Sequence, residues 1–135
     1  MKKVTLFFAM FMFWNQAYAI EVKTIDLYID HSMSVTNKQF ARDVTLNIHY
    51  TDDVQRLQKK FSDGLSSDPT IAKNQVMKMM QNPDFARAFQ RAYRAPLMAE
   101  RMGIHKIPAA VINGEGIIYG STDIAKILTF SENKE

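Results

Sequence analysis

MGIHKIPAAVINGEGIIYGSTDIAKIL, residues Met102–Leu128, is the stretch of this sequence that decides the fold. A loop ending at Ile107-Pro108 leads into the apolar run Ala109–Asn113, which is typical of a strand. The turn Gly114–Gly116 then joins it to a second short strand, because tight connections favour residues that tolerate positive φ. A capped helix follows. The stretch therefore predicts the order loop, strand, turn, strand, helix.

Two strands and three helices are predicted ahead of this stretch. Val22–Asp30 and Val44–Tyr50 are rich in β-branched and aromatic residues, as strands are. Thr51–Asp53, Asp68-Pro69 and Asn82-Pro83 each combine a capping residue with a helix-starting signal. No linker or internal repeat divides the chain. We predict one domain of β-β-α-α-α-β-β-α order, in which residues 31–43 form either a short helix or a crossover loop.

The third helix is predicted to run to Met102 and to end at Gly103. Pro96 lies inside it and is expected to kink or split it, because proline lacks the amide that the helix needs. Methionines are flexible apolar side chains that fill gaps in cores. We expect that role for five of them: Met77, Met79, Met80, Met98 and Met102.

The first nineteen residues have the pattern of a secretory signal peptide. Lys2 and Lys3 precede the uncharged apolar run Val4–Trp14, and Ala17–Ala19 has the Ala-x-Ala form of a cleavage site. The apolar run is shorter than the roughly 20 residues of a membrane span, although a retained anchor is the alternative. We predict cleavage after Ala19, a periplasmic location, and a single domain over residues 20–135.

Charge and cysteine content limit the function. The chain has 17 Lys and Arg against 14 Asp and Glu, and removal of Lys2 and Lys3 leaves a net charge of +1. A charge this small makes nucleic acid an improbable partner, since phosphate binding is driven by clustered cations. The chain contains no cysteine. Disulfides and thiol chemistry are therefore impossible.

No catalytic motif is present. His31 follows the first predicted strand, but a single histidine without a placed partner is more often a solvated loop residue. The sequence Asp30-His31-Ser32 contains the residue types of a hydrolase triad, yet adjacent side chains in extended backbone point to opposite sides. The three histidines lack the close spacing of a metal motif. We predict no enzyme activity, no metal and no cofactor.

Two surfaces are candidates for binding a protein partner. Arg87, Arg91 and Arg94 share one face of the third predicted helix, which is either a docking surface or an ordinary solvated face. Ile107 and Pro108 form the second candidate, together with His31. Backbone exposed beside Pro108 can pair with an extended peptide, and the alternative is a turn that only orients the following strand.

The order of elements in Met102–Leu128 resembles the C-terminal half of a thioredoxin-like domain. The resemblance implies an α/β, thioredoxin-like fold with the three helices inserted between the first and second strand pairs. It also implies a cis Ile107-Pro108 bond that borders the functional groove and lies beside the His31 loop.

Nearly the whole chain after Ala19 resembles the small exported proteins encoded within integrating conjugative elements, which contain a domain of unknown function. The matching segments are VKTIDLYID at Val22–Asp30, SVTN at Ser34–Asn37, FSDGLSSDPTIAK at Phe61–Lys73, FARAFQRAY at Phe85–Tyr93 and MGIHKIPAAVINGEGIIYGSTDIA at Met102–Ala125.

This resemblance implies a non-catalytic periplasmic accessory of conjugative type IV secretion. Its partners would be protein components of the transfer apparatus. The family supplies no catalytic residues, and its recurrent features fall on Gly103, Pro108, Tyr119 and Gly120. The alternative is a cysteine-free relative of a periplasmic disulfide isomerase that acts as a chaperone-like peptide-binding protein.

Overall fold

The structure is a computed structural model, and it describes residues 20–133. These residues form a mixed α/β fold with one four-stranded sheet and four α-helices. The strands are β1 (Thr24–Ile29), β2 (Thr45–Tyr50), β3 (Ala109–Ile112) and β4 (Gly116–Tyr119). The helices are α1 (Asp53–Asp63), α2 (Pro69–Gln81), α3 (Pro83–Arg101) and α4 (Ile124–Glu132). The predicted element order is confirmed, and residues 31–43 contain a short 3₁₀ helix at Lys38–Ala41.

The sheet has the order β2-β1-β3-β4. Strand β1 runs parallel to β2 and antiparallel to β3, and β3 pairs antiparallel with β4. Tyr28 is opposite His49 on one side and Ala109 on the other. The C-terminal ends of β1 and β2 therefore lie at the same end of the sheet as the N-terminal end of β3.

Strand β1 is buried on both faces because it lies inside the sheet and helices cover each side. Ile25, Leu27 and Ile29 alternate along one face and are fully buried in a cluster that includes Ile124 and Ile127 of α4. Each such side chain contributes roughly 1.5–3 kcal/mol on burial. The other face packs Tyr28 against Val111 and against Ala99 of α3 in a second cluster.

Helices α1, α2 and α3 form a block that reaches the sheet through the C-terminal half of α3. An aromatic ladder joins α1 to α3: the ring centroids of Phe61 and Phe85 are 4.6 Å apart, and Phe89 and Tyr93 continue the ladder along α3. The buried stripe of α3 is made of small residues, namely Ala92, Ala95 and Ala99. Small side chains let neighbouring elements approach closely.

The predicted helix starts at Asp68 and Asn82 are confirmed. The Asp68 carboxylate accepts hydrogen bonds from the amides of Thr70 and Ile71, and the Asn82 side chain accepts one from the Asp84 amide. The predicted end of α3 is confirmed as well. Gly103 has φ 70°, and the helix closes through bonds from Gly103 to Glu100 and from Ile104 to Ala99.

Two details of the helices bear on the sequence predictions. Of the two alternatives for Pro96, the split is wrong, because α3 is one helix from Pro83 to Arg101 with Pro96 inside it, and the kink stays a prediction. The predicted core role is wrong for Met77 and Met80, whose exposed fractions are 51% and 70%. Met79 is the methionine of α2 that is half buried.

The predicted signal peptide falls on residues 1–19, outside the described residues. Within residues 20–133, no helix combines the length and the apolar composition that crossing a membrane requires.

Candidate functional site

His31, Ile107 and Pro108 lie at one end of the sheet, where β1 finishes and β3 begins. The predicted cis bond between Ile107 and Pro108 is confirmed. The Pro108 carbonyl accepts a hydrogen bond from the Gly120 amide at 2.9 Å, which ties the loop to the end of β4. We name these three residues, which share one end of the sheet, the sheet-end site.

The loop before Pro108 leaves backbone groups available. Ile107 packs its half-buried side chain against the cluster of Tyr28, Ala99 and Val111. Its amide and carbonyl have no hydrogen-bond partner within the described residues 20–133. Backbone groups of this kind can pair with an extended segment of another chain.

His31 is held by contacts on three sides. Its ring stacks on Tyr50 with a centroid distance of 4.0 Å. Its Nδ1 lies 2.8 Å from Oδ1 of Asp52, and its backbone amide donates to the same oxygen at 3.2 Å. Its Nε2 lies 3.7 Å from Oδ1 of Asp53, which is too long for a hydrogen bond. The ring orientation is therefore fixed by Tyr50 and Asp52.

Asp52 belongs to the segment Thr51–Asp53, which the sequence predicted as the start of α1. It occupies the cap position, but its side chain makes no cap hydrogen bond and accepts from His31 instead. Burial raises the pKa of Asp52. The hydrogen bonds and the charge attraction from His31 outweigh burial and hold the pKa of this carboxyl below its ordinary value. Asp52 is therefore a charged partner that positions His31.

The contacts of His31 give no hydrolytic triad. Ser32 Oγ donates to the carboxylate of Asp30, while His31 bonds to Asp52, so histidine does not activate the serine. His31, Asp52 and Asp53 could each offer a metal-ligand atom, all within 4.8 Å of one another. The two carboxylates lie at the N-terminal end of α1, where the helix dipole already favours negative charge. The hydrogen bond between His31 and Asp52 accounts for two of these three groups.

The three predicted arginines are all exposed on α3 but differ in their surroundings. Arg87 makes an ion pair with Asp84 at 2.8 Å. Arg91 lines a groove of about 400 Å³ between α3 and α1, whose other cations are Arg56 and Lys60.

Leu57, Ala88 and Ala92 supply the apolar part of this groove, and Asp53 contributes to its lining as well. We name it the basic groove. Asp53 therefore belongs to the groove and also faces Nε2 of His31. His31 of the sheet-end site and Arg91 of the predicted helix face are therefore linked through this one residue.

A second histidine–aspartate contact lies on the face of β1 that carries Tyr28, opposite the cluster of Ile25, Leu27 and Ile29. His49 Nε2 is 2.8 Å from Asp26 Oδ1, and the His49 ring stacks on Tyr28. Burial, reinforced by the charge of Asp26, raises the pKa of Tyr28. This pair is part of the packing between β1 and β2.

Sequence reasoning missed four residues of these surfaces: Asp52, Asp53, Arg56 and Lys60. A usable signal was present for the first two. His31 and Asp52 each follow the end of a predicted strand, and parallel neighbours bring such residues together at one edge of the sheet. Arg56 and Lys60 are one helical turn apart on α1, which indicates one face but not which helix packs against it.

A comparison with protein-family models matches residues 22–133 to a family described as "Protein of unknown function (DUF1525)". The comparison with curated proteins found no match. The comparison with solved structures found none either.

Proposed function

Because this chain belongs to the DUF1525 family of proteins of unknown function, we propose its role from its own geometry. The protein is a non-enzymatic accessory that binds an extended segment of an exported partner and thereby supports conjugative DNA transfer. One observation carries this proposal: the Ile107 backbone, which is unpaired within residues 20–133, lies at the same end of the sheet as His31, and Asp53 beside His31 also lines a groove that contains cations.

A thioredoxin-like fold with a helical insertion is part of the proposal. It is supported by the parallel β1–β2 pair, the antiparallel β3–β4 pair and the helix that follows them. The chain has no cysteine, so the scaffold would serve binding and not thiol exchange. Measurable reduction of insulin by the purified protein would contradict this part.

The assignment to an integrating conjugative element, to the periplasm and to type IV secretion rests on the sequence resemblance and on the leader pattern. Its test is deletion of the gene from its element. Transfer frequency should fall while growth stays unchanged, and a wild-type copy should restore transfer. Normal transfer in the complete deletion would overturn the accessory role.

Two variants then separate the surfaces. Arg87, Arg91 and Arg94 changed together to Ala test the helix, and His31→Ala tests the sheet-end site. The matched control changes Lys38, Arg42 and Lys126 to Ala, since these are exposed cations on other elements. We expect reduced transfer from at least one of the first two variants and full transfer from the control.

A chaperone-like function is a second candidate, and exposed apolar residues on α2 favour it. Ile71, Met77 and Met80 are each more than half exposed, and methionine-rich surfaces adapt to varied partners. Suppression of aggregation of an unfolded test protein would support this function. Replacement of the three residues by Gln should then abolish the suppression without unfolding the domain.

A further inference from the structure

The cations of the basic groove share the lack of an ion pair with most cations of α1, α2 and α3, and they are set apart because three of them surround one concave surface. Lys59 on α1 pairs with Asp63 at 2.9 Å, and Arg87 on α3 pairs with Asp84. Arg56, Lys60 and Arg91 make no ion pair with any other described residue. Three cations around one concave surface repel one another, and an anionic ligand would relieve this repulsion.

The net charge of α1, α2 and α3 together also favours an anionic ligand. Residues 53–101, which contain α1, α2 and α3, have nine Lys and Arg against five Asp and Glu. The other described residues, 20–52 and 102–133, have five against eight. The helical block is therefore basic and the sheet half is acidic. Such segregation attracts an anion to the helices and repels it from the sheet.

We propose that the basic groove binds an acidic segment of a partner protein, in which carboxylates alternate with apolar side chains. The carboxylates would accept hydrogen bonds from Arg56, Lys60 and Arg91, and arginine can engage a carboxylate through two parallel bonds. The apolar side chains would cover Leu57, Ala88 and Ala92. This proposal rests on the proposed function and names the chemistry of the partner.

A protein segment fits the groove better than nucleic acid does. The lining includes the apolar side chains of Leu57, Ala88 and Ala92, which apolar residues of a protein segment would cover, and it has no aromatic ring on which a base could stack. Asp53 also fixes the direction of the bound segment. The residue of the segment that passes Asp53 on the way to His31 must be neutral or basic, because the Asp53 carboxylate repels another carboxylate. A segment that continues past Asp53 reaches the His31 region of the sheet-end site.

The test is direct binding in solution, measured by fluorescence anisotropy with the purified protein. The probe is a labelled peptide of about eight residues in which Glu and Leu alternate, long enough when extended at about 3.3 Å per residue to span the groove. The groove variant is R56E/K60E/R91E. The matched control is K38E/R42E/K126E, which changes three exposed cations outside the helical block and alters net charge equally.

We expect the wild-type protein to bind the peptide with an affinity that falls as salt rises. The groove variant should lose about 100-fold in affinity, as the loss of a few charge-assisted hydrogen bonds implies. The control should stay within about twofold. A peptide of alternating Lys and Leu should bind the groove variant better than it binds the wild type.

Equal losses in the two triple variants would overturn the proposal, because they would indicate a net-charge effect. Groove-dependent binding of a short DNA duplex in place of the peptide would overturn it in favour of nucleic acid. If circular dichroism shows that the Glu variant does not fold, the neutral set R56Q/K60Q/R91Q makes the same test. If the groove variant loses peptide binding but still supports normal transfer, this inference alone is refuted. Normal transfer in the gene deletion refutes the proposed function.

Discussion

The imidazole of His31 lies between the ring of Tyr50 and the carboxylates of Asp52 and Asp53. All three contacting residues end or follow β2, and His31 itself follows β1. The contact between the strand ends is therefore a direct result of the parallel register that pairs Ile29 with Tyr50. The register brings these side chains together at one end of the sheet.

Replacement of Asp52 by Asn should destabilise the protein in a pH-dependent way. Folding lowers the pKa of Asp52, so its charged form stabilises the folded state above the unfolded pKa of about 4. This contribution is lost as the pH falls through the lower folded-state pKa. The side chains of His31 and Asp52 are each about a third exposed, so we expect the substitution to lower the free energy of unfolding by about 0.5 kcal/mol. Urea unfolding at pH values near 5 measures this loss.

At strongly acidic pH the difference between Asp52→Asn and the parent should vanish, since both states of the parent are then protonated. Asp53→Asn is the control, because its carboxylate is 3.7 Å from His31 and makes no hydrogen bond to it. It should show a weaker pH dependence. A difference between Asp52→Asn and the parent that is the same at all pH values would contradict the assigned role of the carboxylate.

The sequence identified His31 from its place after a strand but not its partner. Asp52 was part of Thr51-Asp52-Asp53, which was predicted only as a helix start. Local signals describe the chain around a residue. The contact with His31 depends on which strands become neighbours and in which direction, and single-residue patterns do not contain that information. Binding of a protein partner by His31, Ile107 and Pro108 remains a prediction.

The end of α3 shows how one residue directs an element toward the site. Gly103 has a positive φ, and its amide and that of Ile104 close the last turn of the helix. The chain can then turn toward Ile107 and Pro108. Side chains other than glycine are strained at this φ because their Cβ approaches the neighbouring carbonyl.

Gly103→Ala should therefore lower the free energy of unfolding by about 1 kcal/mol. Gly64→Ala is the matched control, since Gly64 has φ −90° at the end of α1 and an added Cβ would meet only ordinary contacts. We expect the control to be neutral or slightly stabilising. Chemical denaturation of both variants measures the difference, and equal effects would show that the conformation of Gly103 is not required.

Strands and helix starts were predictable because each depends on local chemistry. The caps at Asp68 and Asn82 satisfy amides two or three residues away. The outward orientation of Met77 and Met80 was not predictable in this way. Helix α2 turns Ala72, Gln75 and Met79 toward its neighbours, and Gln75 accepts a hydrogen bond from the Ser66 amide. Hydrophobicity alone could not show that α2 has few neighbours.

At the scale of the whole chain, export is predicted from the leader. Lys2 and Lys3, the apolar run and Ala17–Ala19 together predict cleavage between Ala19 and Ile20. Mass spectrometry of the protein from a periplasmic extract should identify Ile20 as the first residue. Recovery of an intact Met1 on a cytoplasmic protein would contradict both the location and the proposed role in transfer.

The separation of a basic helical block from an acidic sheet half has a consequence for stability. Cations held close together for binding repel one another in the free protein, and residues selected for function commonly lower stability. Neutralising the groove with R56Q/K60Q/R91Q should therefore raise stability at low salt. The matched change in the acidic half is K38Q/R42Q/K126Q. It removes attraction between opposite charges, such as that between Lys126 and Asp123, and should therefore lower stability.

We expect the groove variant to gain a few tenths of a kcal/mol, which corresponds to about 1–4 °C in melting temperature for a domain of this size. The gain should shrink as salt screens the repulsion, whose range is about 10 Å at 0.1 M. The control should shift in the opposite direction and also lose its effect in salt. A groove variant that is less stable than the parent at low salt would mean that other residues already balance Arg56, Lys60 and Arg91. Their charges would then already be compensated and would not need an anionic partner.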